Sequence, residues 1–377
     1  MLSSAKVSLL SAILFLAFFP RTTLGKQKLN RCVINASQSE YIFCDFRGKD
    51  LRWYDLKETN FTGSDFGKGK LEGVDFKRSI LESAEFVWSD LRNSDFREAN
   101  LAKSVLQWAD LTNSNLSKAN LLEADLRDTT LSGVDFREAI LTESLLIHSN
   151  LREANLQRAV LTKADLTGAN LEWAKLNNAD LELSILKKTN LKNASLKGAR
   201  LVASDLGSAV MTEALLNGAD LKGANLENAN LELADLEGAN LTRVKLKNTN
   251  LRSANLYKSN LNSVNFEWVD IKGATFQRAV LKKALFRGVN LERVNFKRAR
   301  MENADLRGAN LLGATFKRAD LRNVIFRNAN LERVDFRKAN LEGADLRGAN
   351  LKGANFGKAT WVDGKKCRPV SIGKCIF

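Results

Sequence analysis

Proline and histidine are almost absent from this chain of 377 residues. The two prolines are Pro20 and Pro369, so the 348 residues between them contain none. Enzymes built from several ordinary domains use proline in loops and linkers, at about 5% of residues. The single histidine, His148, leaves little room for the histidine-rich sites common in zinc and acid–base enzymes. These absences argue against an enzyme and predict no catalytic, cofactor-binding or metal-binding residues.

Cysteine is also missing from the middle of the chain. Cys32 and Cys44 lie near one end, and Cys367 and Cys375 lie near the other. Two local disulfides, Cys32–Cys44 and Cys367–Cys375, would each close a short loop in an oxidising compartment. Free thiols are the alternative.

The first 25 residues have the layout of a secretory signal peptide. Lys6 precedes an apolar run at residues 9–19, and the small residues Thr23 and Gly25 offer a cleavage site after Gly25. The run is too short for a spanning helix, which needs about 20 residues. We therefore expect export to a periplasm, an organelle lumen or the extracellular space, with an uncleaved anchor as the alternative.

The middle of the chain is a strict repeat of five residues. Every fifth residue from Tyr41 to Trp361 is large and apolar, and nearly all are Leu or Phe. Two residues earlier, from Val74 to Ala359, every position is Ala, Ser, Thr or Val. The residue between is most often Asp or Asn. The repeated unit is therefore Ala-(Asp/Asn)-Leu-x-x.

A period of five fits neither an amphipathic helix nor a flat strand. It fits a chain that turns a corner every five residues and points one large and one small side chain inward each time. Four such turns close a square coil of twenty residues, and successive coils pair at about 4.8 Å. Proline would remove an inter-coil hydrogen bond, which explains its absence.

The repeat resembles the pentapeptide-repeat family over residues 41–361. The resemblance implies an all-β fold, a right-handed quadrilateral β-helix, with about 15 coils in residues 51–360 and a length of roughly 75 Å. We expect a signal peptide at 1–25, an N-terminal cap at 26–50 with Cys32 and Cys44, and a C-terminal cap at 361–377 with Cys367 and Cys375. The caps protect the open ends of the solenoid.

Positive charge is concentrated in the C-terminal third. Residues 251–360 carry 22 Lys and Arg against 10 Asp and Glu, whereas residues 26–250 carry 30 against 32. Residues twenty apart lie above one another, so cations of six consecutive coils form one column with three more beside it. These nine residues, which we call the basic edge, are Lys258, Arg278, Lys297, Arg298, Lys317, Arg318, Arg337, Lys338 and Lys358. A second column on the opposite face comprises Arg287, Arg307, Arg327 and Arg347.

Two interpretations of the basic edge compete. It is a candidate binding site for an anionic glycan, a lipid surface or another polyanion, which would release counterions and weaken steeply with salt. Alternatively, its Lys and Arg only keep a long tube soluble while their stems cover apolar surface.

An apolar set in the N-terminal half predicts a second contact surface. Trp88 and Trp108 are twenty apart and stack on adjacent coils, at positions where most other units are polar. The candidate partner strip comprises Trp88, Val105, Trp108, Leu145, Ile147 and Ile185. It would contact a protein partner, unless the aliphatic residues only pack beneath the tryptophan rings.

Some pentapeptide-repeat proteins mimic DNA with an acidic dimeric rod that binds a topoisomerase. The net charge of +15 and the expected export argue against that role here. Other relatives are exported proteins of unassigned function, and some are secreted effectors. The sequence therefore predicts a non-enzymatic, exported scaffold that binds a polyanion through the basic edge. The alternative is a structural rod or effector that acts through the partner strip.

Overall fold

The structure, a computed structural model, describes residues 29–35 and 38–377. The predicted signal peptide at residues 1–25 lies outside the described residues. Parallel bridges join residues twenty apart along the chain, from Glu40–Asn60 to Asn340–Thr360. This register matches the predicted four pentapeptides per coil. None of the described residues forms a helix that could cross a membrane.

The pentapeptide around Leu166 shows why the repeat has its composition. The amides of Asp165, Leu166 and Gly168 donate to carbonyls of neighbouring coils, at 3.0, 2.7 and 2.8 Å. The Ala169 amide closes the turn on the Leu166 carbonyl at 2.9 Å. The Thr167 amide donates to Oδ1 of Asp165 at 2.9 Å. Every amide of the unit is thereby satisfied, and the Asp or Asn is required for one of them.

The third residue of each turn, two positions after the inward Leu or Phe, has a left-handed backbone. At Gly168 φ is 68°, and non-glycine residues at equivalent positions have similar values, such as 62° at Arg318. A positive φ only at the second central residue is the pattern of a type II turn. Side chains at this position therefore project outward from the corners of the coil.

One continuous core runs along the inside of the tube. The large residue of each unit and the small residue two before it are buried along almost the whole solenoid. Phenylalanine rings stack in the C-terminal third, with Phe296 and Phe336 lying 4.9 and 5.4 Å from Phe316. A second stack lies near the N-terminal end, where Phe66 and Phe86 are 5.0 Å apart.

Both ends of the tube carry a disulfide. Strand β1 (Asn30–Arg31) pairs in parallel with strand β2 (Cys44–Asp45), and Cys32 is bonded to Cys44. After Trp361 the chain folds back over the last coil and forms antiparallel bridges, Thr360–Lys366 and Asn355–Ile372. Cys367 is bonded to Cys375 in this segment. The predicted pairing of the four cysteines is confirmed.

Asparagines form a hydrogen-bonded ladder on one face of the tube. The Asn170 side chain donates to Asn150 at 3.3 Å and accepts from Asn190 at 3.0 Å. The ladder is interrupted at Val210 and resumes between Asn230 and Asn250 at 2.9 Å. It extends the hydrogen bonding between coils from the backbone to the side chains.

Candidate functional site

The basic edge occupies one face of the last six regular coils. Six of its cations lie at the left-handed turn position, where φ is between 57° and 62°. The other three precede the column residues of their own coils. All nine side chains are exposed or half-buried. The fold thus projects the cations outward on successive coils about 4.8 Å apart.

Few carboxylates neutralise this edge. Asp335 pairs with Arg337 at 2.7 Å, and Glu237 lies 4.0 Å from Lys258. Within the described part of the chain, no other cation of the edge forms an ion pair. Mutual repulsion of these charges therefore destabilises the fold locally and favours the binding of anions.

An aromatic ring lies at the N-terminal end of the basic edge. The Lys258 ammonium is 4.8 Å from the centre of the Tyr257 ring, and the Arg278 guanidinium is 5.8 Å from it. These cation–π contacts orient the first two members of the column.

The second arginine column differs from the basic edge because its charges are paired. Arg287 and Arg307 both contact Asp305, at 2.6 and 2.7 Å. Burial raises the pKa of Asp305, but hydrogen bonds from Arg307 and Arg287 outweigh burial and lower this pKa to about 2. Two carboxylates hold the whole column, because Arg327 and Arg347 share Asp345 in the same way.

The partner strip contains one exposed aromatic pair and scattered half-buried aliphatics. Trp88 and Trp108 stack with their ring centres 5.1 Å apart and their planes 9° apart, and both are exposed. The aliphatic members at Val105, Leu145, Ile147 and Ile185 are each half-buried.

Charged residues interrupt the strip. Asp125 lies between Val105 and Leu145 in the bridge ladder, and Asp165 lies between Leu145 and Ile185. Asp125 also forms an ion pair with Arg127 at 2.7 Å. The strip is therefore a series of small apolar areas separated by carboxylates.

Tryptophans elsewhere are also exposed, which the spacing of the repeat alone did not single out. Trp53, Trp173 and Trp268 each have at least half of their surface accessible and a left-handed backbone. The signal in the sequence was a bulky aromatic at a position that most units fill with polar residues or glycine. Trp173 and Trp268 each line a surface hollow.

The described residues contain no group of His, Cys, Asp and Glu side chains arranged to hold a metal ion. His148 lies over the next coil, where its Nδ1 would be 2.6 Å from a Cβ added at Gly168. Gly168 has no side chain, so the imidazole ring of His148 has room to lie over it.

Comparison with known families gives matches along most of the solenoid. A profile described as pentapeptide repeats matches stretches that together span residues 59–238 and 299–360. A second profile, described as a pentapeptide repeat region, matches stretches that together span residues 219–316. No curated protein sequence matches the chain significantly.

Several solved structures are similar to the chain. HetL, a pentapeptide repeat protein involved in heterocyst differentiation regulation from Nostoc sp. strain PCC 7120, is 33% identical over 70% of this chain and 91% of HetL, with a TM-score of 0.31. A pentapeptide repeat protein from the Arabidopsis thaliana thylakoid lumen is 28% identical over 35% of this chain and 71% of its own, with a TM-score of 0.23. QnrB1, a plasmid-mediated fluoroquinolone resistance protein, is 14% identical over 62% of this chain and 92% of QnrB1, with a TM-score of 0.27.

Proposed function

Because the chain belongs to the pentapeptide-repeat family, we propose that it is a non-enzymatic, exported scaffold that binds an anionic polymer or surface through its basic edge. Proteins of this family fold as right-handed quadrilateral β-helices. With about 15 coils between the two proposed caps, the tube would be roughly 75 Å long. The basic edge would occupy about 24 Å of that length.

The observation that carries the proposal is the contrast between the two cation columns. Arg287 and Arg307 are neutralised by Asp305, whereas Arg298 and Arg318 on the basic edge have no carboxylate within 4.0 Å among the described residues. A requirement for solubility alone would be met by unpaired cations on any face and does not need them aligned in one column. Unpaired cations in one line are what a polyanion site needs, because counterions condensed on the polymer are released when it binds.

Backbone conformation supports the same interpretation. Each residue of the six-cation column has a left-handed backbone, which costs a residue with a Cβ about 1–2 kcal/mol relative to the right-handed region. Glycine occupies the equivalent position in other columns, for example at Gly308 and Gly348. The basic column contains no glycine, so it retains a cation where a less strained residue was available.

The two disulfides support export. Disulfides persist in oxidising compartments and are rare in the cytosol. The proposed destination is a periplasm, an organelle lumen or the extracellular space, reached with the signal peptide predicted at residues 1–25.

A second candidate function is a protein–protein contact through the partner strip, in a structural rod or a secreted effector. The observation that favours it is the exposed stack of Trp88 on Trp108. A DNA-mimicking role is not proposed, because the net charge of +15 is opposite in sign to that of DNA.

Salt-dependent retention on immobilised heparin tests the proposal. We expect the native protein to elute at high salt, and a variant with the six-cation column changed to Gln to elute much earlier. The residues changed are Lys258, Arg278, Arg298, Arg318, Lys338 and Lys358. The matched control removes six exposed lysines that form no ion pair in the described structure and lie on other faces: Lys68, Lys103, Lys188, Lys192, Lys222 and Lys247.

Both variants lose the same net charge, so their comparison separates a site from general electrostatic attraction. Elution of the control close to the native protein supports the basic edge. Equal shifts of both variants, or weak retention of the native protein, would contradict the proposal.

A further inference from the structure

Two surface hollows on the solenoid are each built around an exposed tryptophan. The first has a volume of about 440 Å³, and its polar lining comes from Arg252, Asp270, Lys272 and Asn290 around Trp268. The second has a volume of about 560 Å³ and is lined by Arg152, Glu153, Trp173 and Lys175. Both hollows are open to solvent. We call them the Trp268 hollow and the Trp173 hollow.

The Trp268 hollow lies where one of the backbone bridges between successive coils is missing. Parallel bridges join Asn250 to Asp270 and Asn290 to Asn310, but no bridge joins Asp270 to Asn290. The Leu251 amide donates to the next coil at 2.7 Å, whereas the equivalent bond from Ile271 to Asn290 is missing from this described part of the tube.

Val269 and Ile271 are the inward residues beside this opening, and both are among the residues that line the hollow. The hollow therefore coincides with the missing bridge and the missing hydrogen bond.

Neither tryptophan contributes much to the core. Trp268 and Trp173 are 78% and 50% exposed, with φ of 67° and 61°. The left-handed backbone is shared by the equivalent residue of every turn, so it is their exposure that makes these two indole rings accessible to a ligand.

The polar groups of the two hollows match in kind. Arg252 pairs with Asp270 at 3.3 Å, and Arg152 pairs with Glu172 of the next coil. Each hollow also has a lysine, Lys272 or Lys175, whose side chain forms no ion pair within residues 38–377. Each therefore offers an aromatic plane, a fixed guanidinium, a carboxylate and a free ammonium group.

From this recurrence we infer that the hollows are binding subsites for the sugar rings of an acidic glycan. A pyranose has an apolar face of C–H groups that stacks on an indole, and a rim of hydroxyls. Carboxylates such as Asp270 and Glu153 accept hydrogen bonds from the hydroxyls. The free lysine pairs with the carboxylate of a uronic acid.

The carboxylates favour a glycan over a single-stranded nucleic acid. Bases also stack on tryptophan, and cations bind phosphate. However, Asp270 in one hollow and Glu153 in the other need hydrogen-bond donors, and a pyranose ring offers several hydroxyls where a base offers few N–H groups. For a sugar the same carboxylates are hydrogen-bond acceptors.

The hollows are separate from the basic edge. Trp268 and Arg278 lie ten residues apart in a coil of twenty, and so on opposite sides of the tube. Trp173 precedes Trp268 by 95 residues, which is an axial distance of about 23 Å. The inference therefore does not rest on the proposed function of the basic edge.

Calorimetric titration with a homogeneous oligogalacturonate tests the inference. It is performed on the native protein and on the variant in which the six-cation column is changed to Gln. The contribution of the basic edge to the measured affinity can then be subtracted. Changing both Trp173 and Trp268 to Ala should weaken binding at least tenfold in either background. The control is Trp53→Ala, because Trp53 is equally strained and exposed but lines neither hollow.

Two further titrations define the ligand chemistry. Lys175→Gln with Lys272→Gln should abolish the preference for oligogalacturonate over its methyl ester, which lacks the carboxylate charge. The double tryptophan variant should bind oligothymidylate at least as tightly as the native protein does. The inference is overturned if the double variant binds oligogalacturonate like the native protein, if Trp53→Ala loses as much, or if oligothymidylate alone loses affinity. The inference is also overturned if the native protein does not bind oligogalacturonate, whether or not the protein is retained on heparin.

Discussion

Aspartates and asparagines at the corners of the coils have a structural role that depends on the residue two positions later. Asp165 accepts the amide of Thr167, and Asp305 accepts the amide of Arg307. When the later residue is arginine, its guanidinium also returns to the carboxylate. An Asp-x-Arg sequence therefore marks a paired arginine on this fold, whereas Asn295 and Thr315 supply no carboxylate for Lys297 and Lys317 two positions later.

Asp305 is the aspartate whose ionisation should matter most for stability. Its carboxylate is buried and bonded to two arginines, and its pKa is lowered to about 2. A depressed pKa stabilises the fold above the unfolded pKa, near 4, and this stabilisation is lost as the pH falls toward 2. We expect Asp305→Asn to lower stability by about 2 kcal/mol at pH 7, and by progressively less below pH 4.

Thermal unfolding of the native protein and Asp305→Asn between pH 7 and pH 2.5 measures this difference. The Tm curves of the two proteins should converge at the acid end. A constant gap over the whole range would show that the substitution acts through packing and not through the charge of Asp305.

Some residue roles followed from the sequence and others did not. Spacing by five identified inward residues such as Leu166 and Phe316, because every fifth position has the same environment. The spacing of twenty residues between stacked positions also predicted that six cations form one column. Spacing alone did not separate the paired Arg307 from the free Lys297, since that distinction depends on the residue two positions before, Asp305 or Asn295.

Among the structural elements, the asparagine ladder is the one whose continuity can be changed by a single substitution. Val210 separates Asn190 from Asn230 in the column. Val210→Asn would supply a side chain able to donate to Asn190, accept from Asn230 and accept the Thr212 amide. We expect a gain in stability of about 1 kcal/mol, measured as the midpoint of denaturant unfolding.

Val160→Asn is the matched control for this prediction. Its neighbours in the ladder are Ile140 and Asp180, so the new amide completes no asparagine ladder. A gain at Val160 as large as the gain at Val210 would contradict the account, because it would reflect the loss of a surface valine alone.

Elements with an irregular environment were less predictable. The partner strip was inferred from apolar residues at outward positions, but Asp125 and Asp165 divide it. The opening beside Val269 and Ile271 follows from no rule of the repeat, because valine at the same inward position elsewhere, as at Val324, leaves the bridges between coils intact.

At the scale of the whole molecule, stability depends on the two ends. Each coil contacts only its neighbours, so fraying begins at an open end. At the C-terminal end the segment containing Cys367 and Cys375 pairs with the last coil and covers Phe356.

Removing the Cys367–Cys375 disulfide should therefore act locally. For a loop closed over eight residues of separation, we expect a loss of about 2–3 kcal/mol in Cys367→Ser/Cys375→Ser. Hydrogen exchange should accelerate at residues 341–360 and remain unchanged at residues 141–160. Uniform acceleration along the tube would show a global role, and no acceleration would show that the disulfide does not cap the end.

Charge is also organised over the whole molecule. Residues 251–360 carry 22 Lys and Arg against 10 Asp and Glu, while residues 26–250 are nearly neutral. On the nearly neutral part, cations such as Arg92 and Arg137 are held by aspartates. The tube thus presents one strongly basic segment, and the proposed polyanion site is the largely unpaired edge of that segment.

The most direct measurement of this central claim is the slope of log affinity for a heparin oligosaccharide against log salt concentration. Each cation that displaces a counterion contributes about 0.7–0.9 to the slope. Changing the six-cation column to Gln should therefore lower the slope by about 4 to 5, whereas the control lacking six scattered lysines should keep nearly the native slope. Equal slopes in the native protein and the column variant would contradict the account.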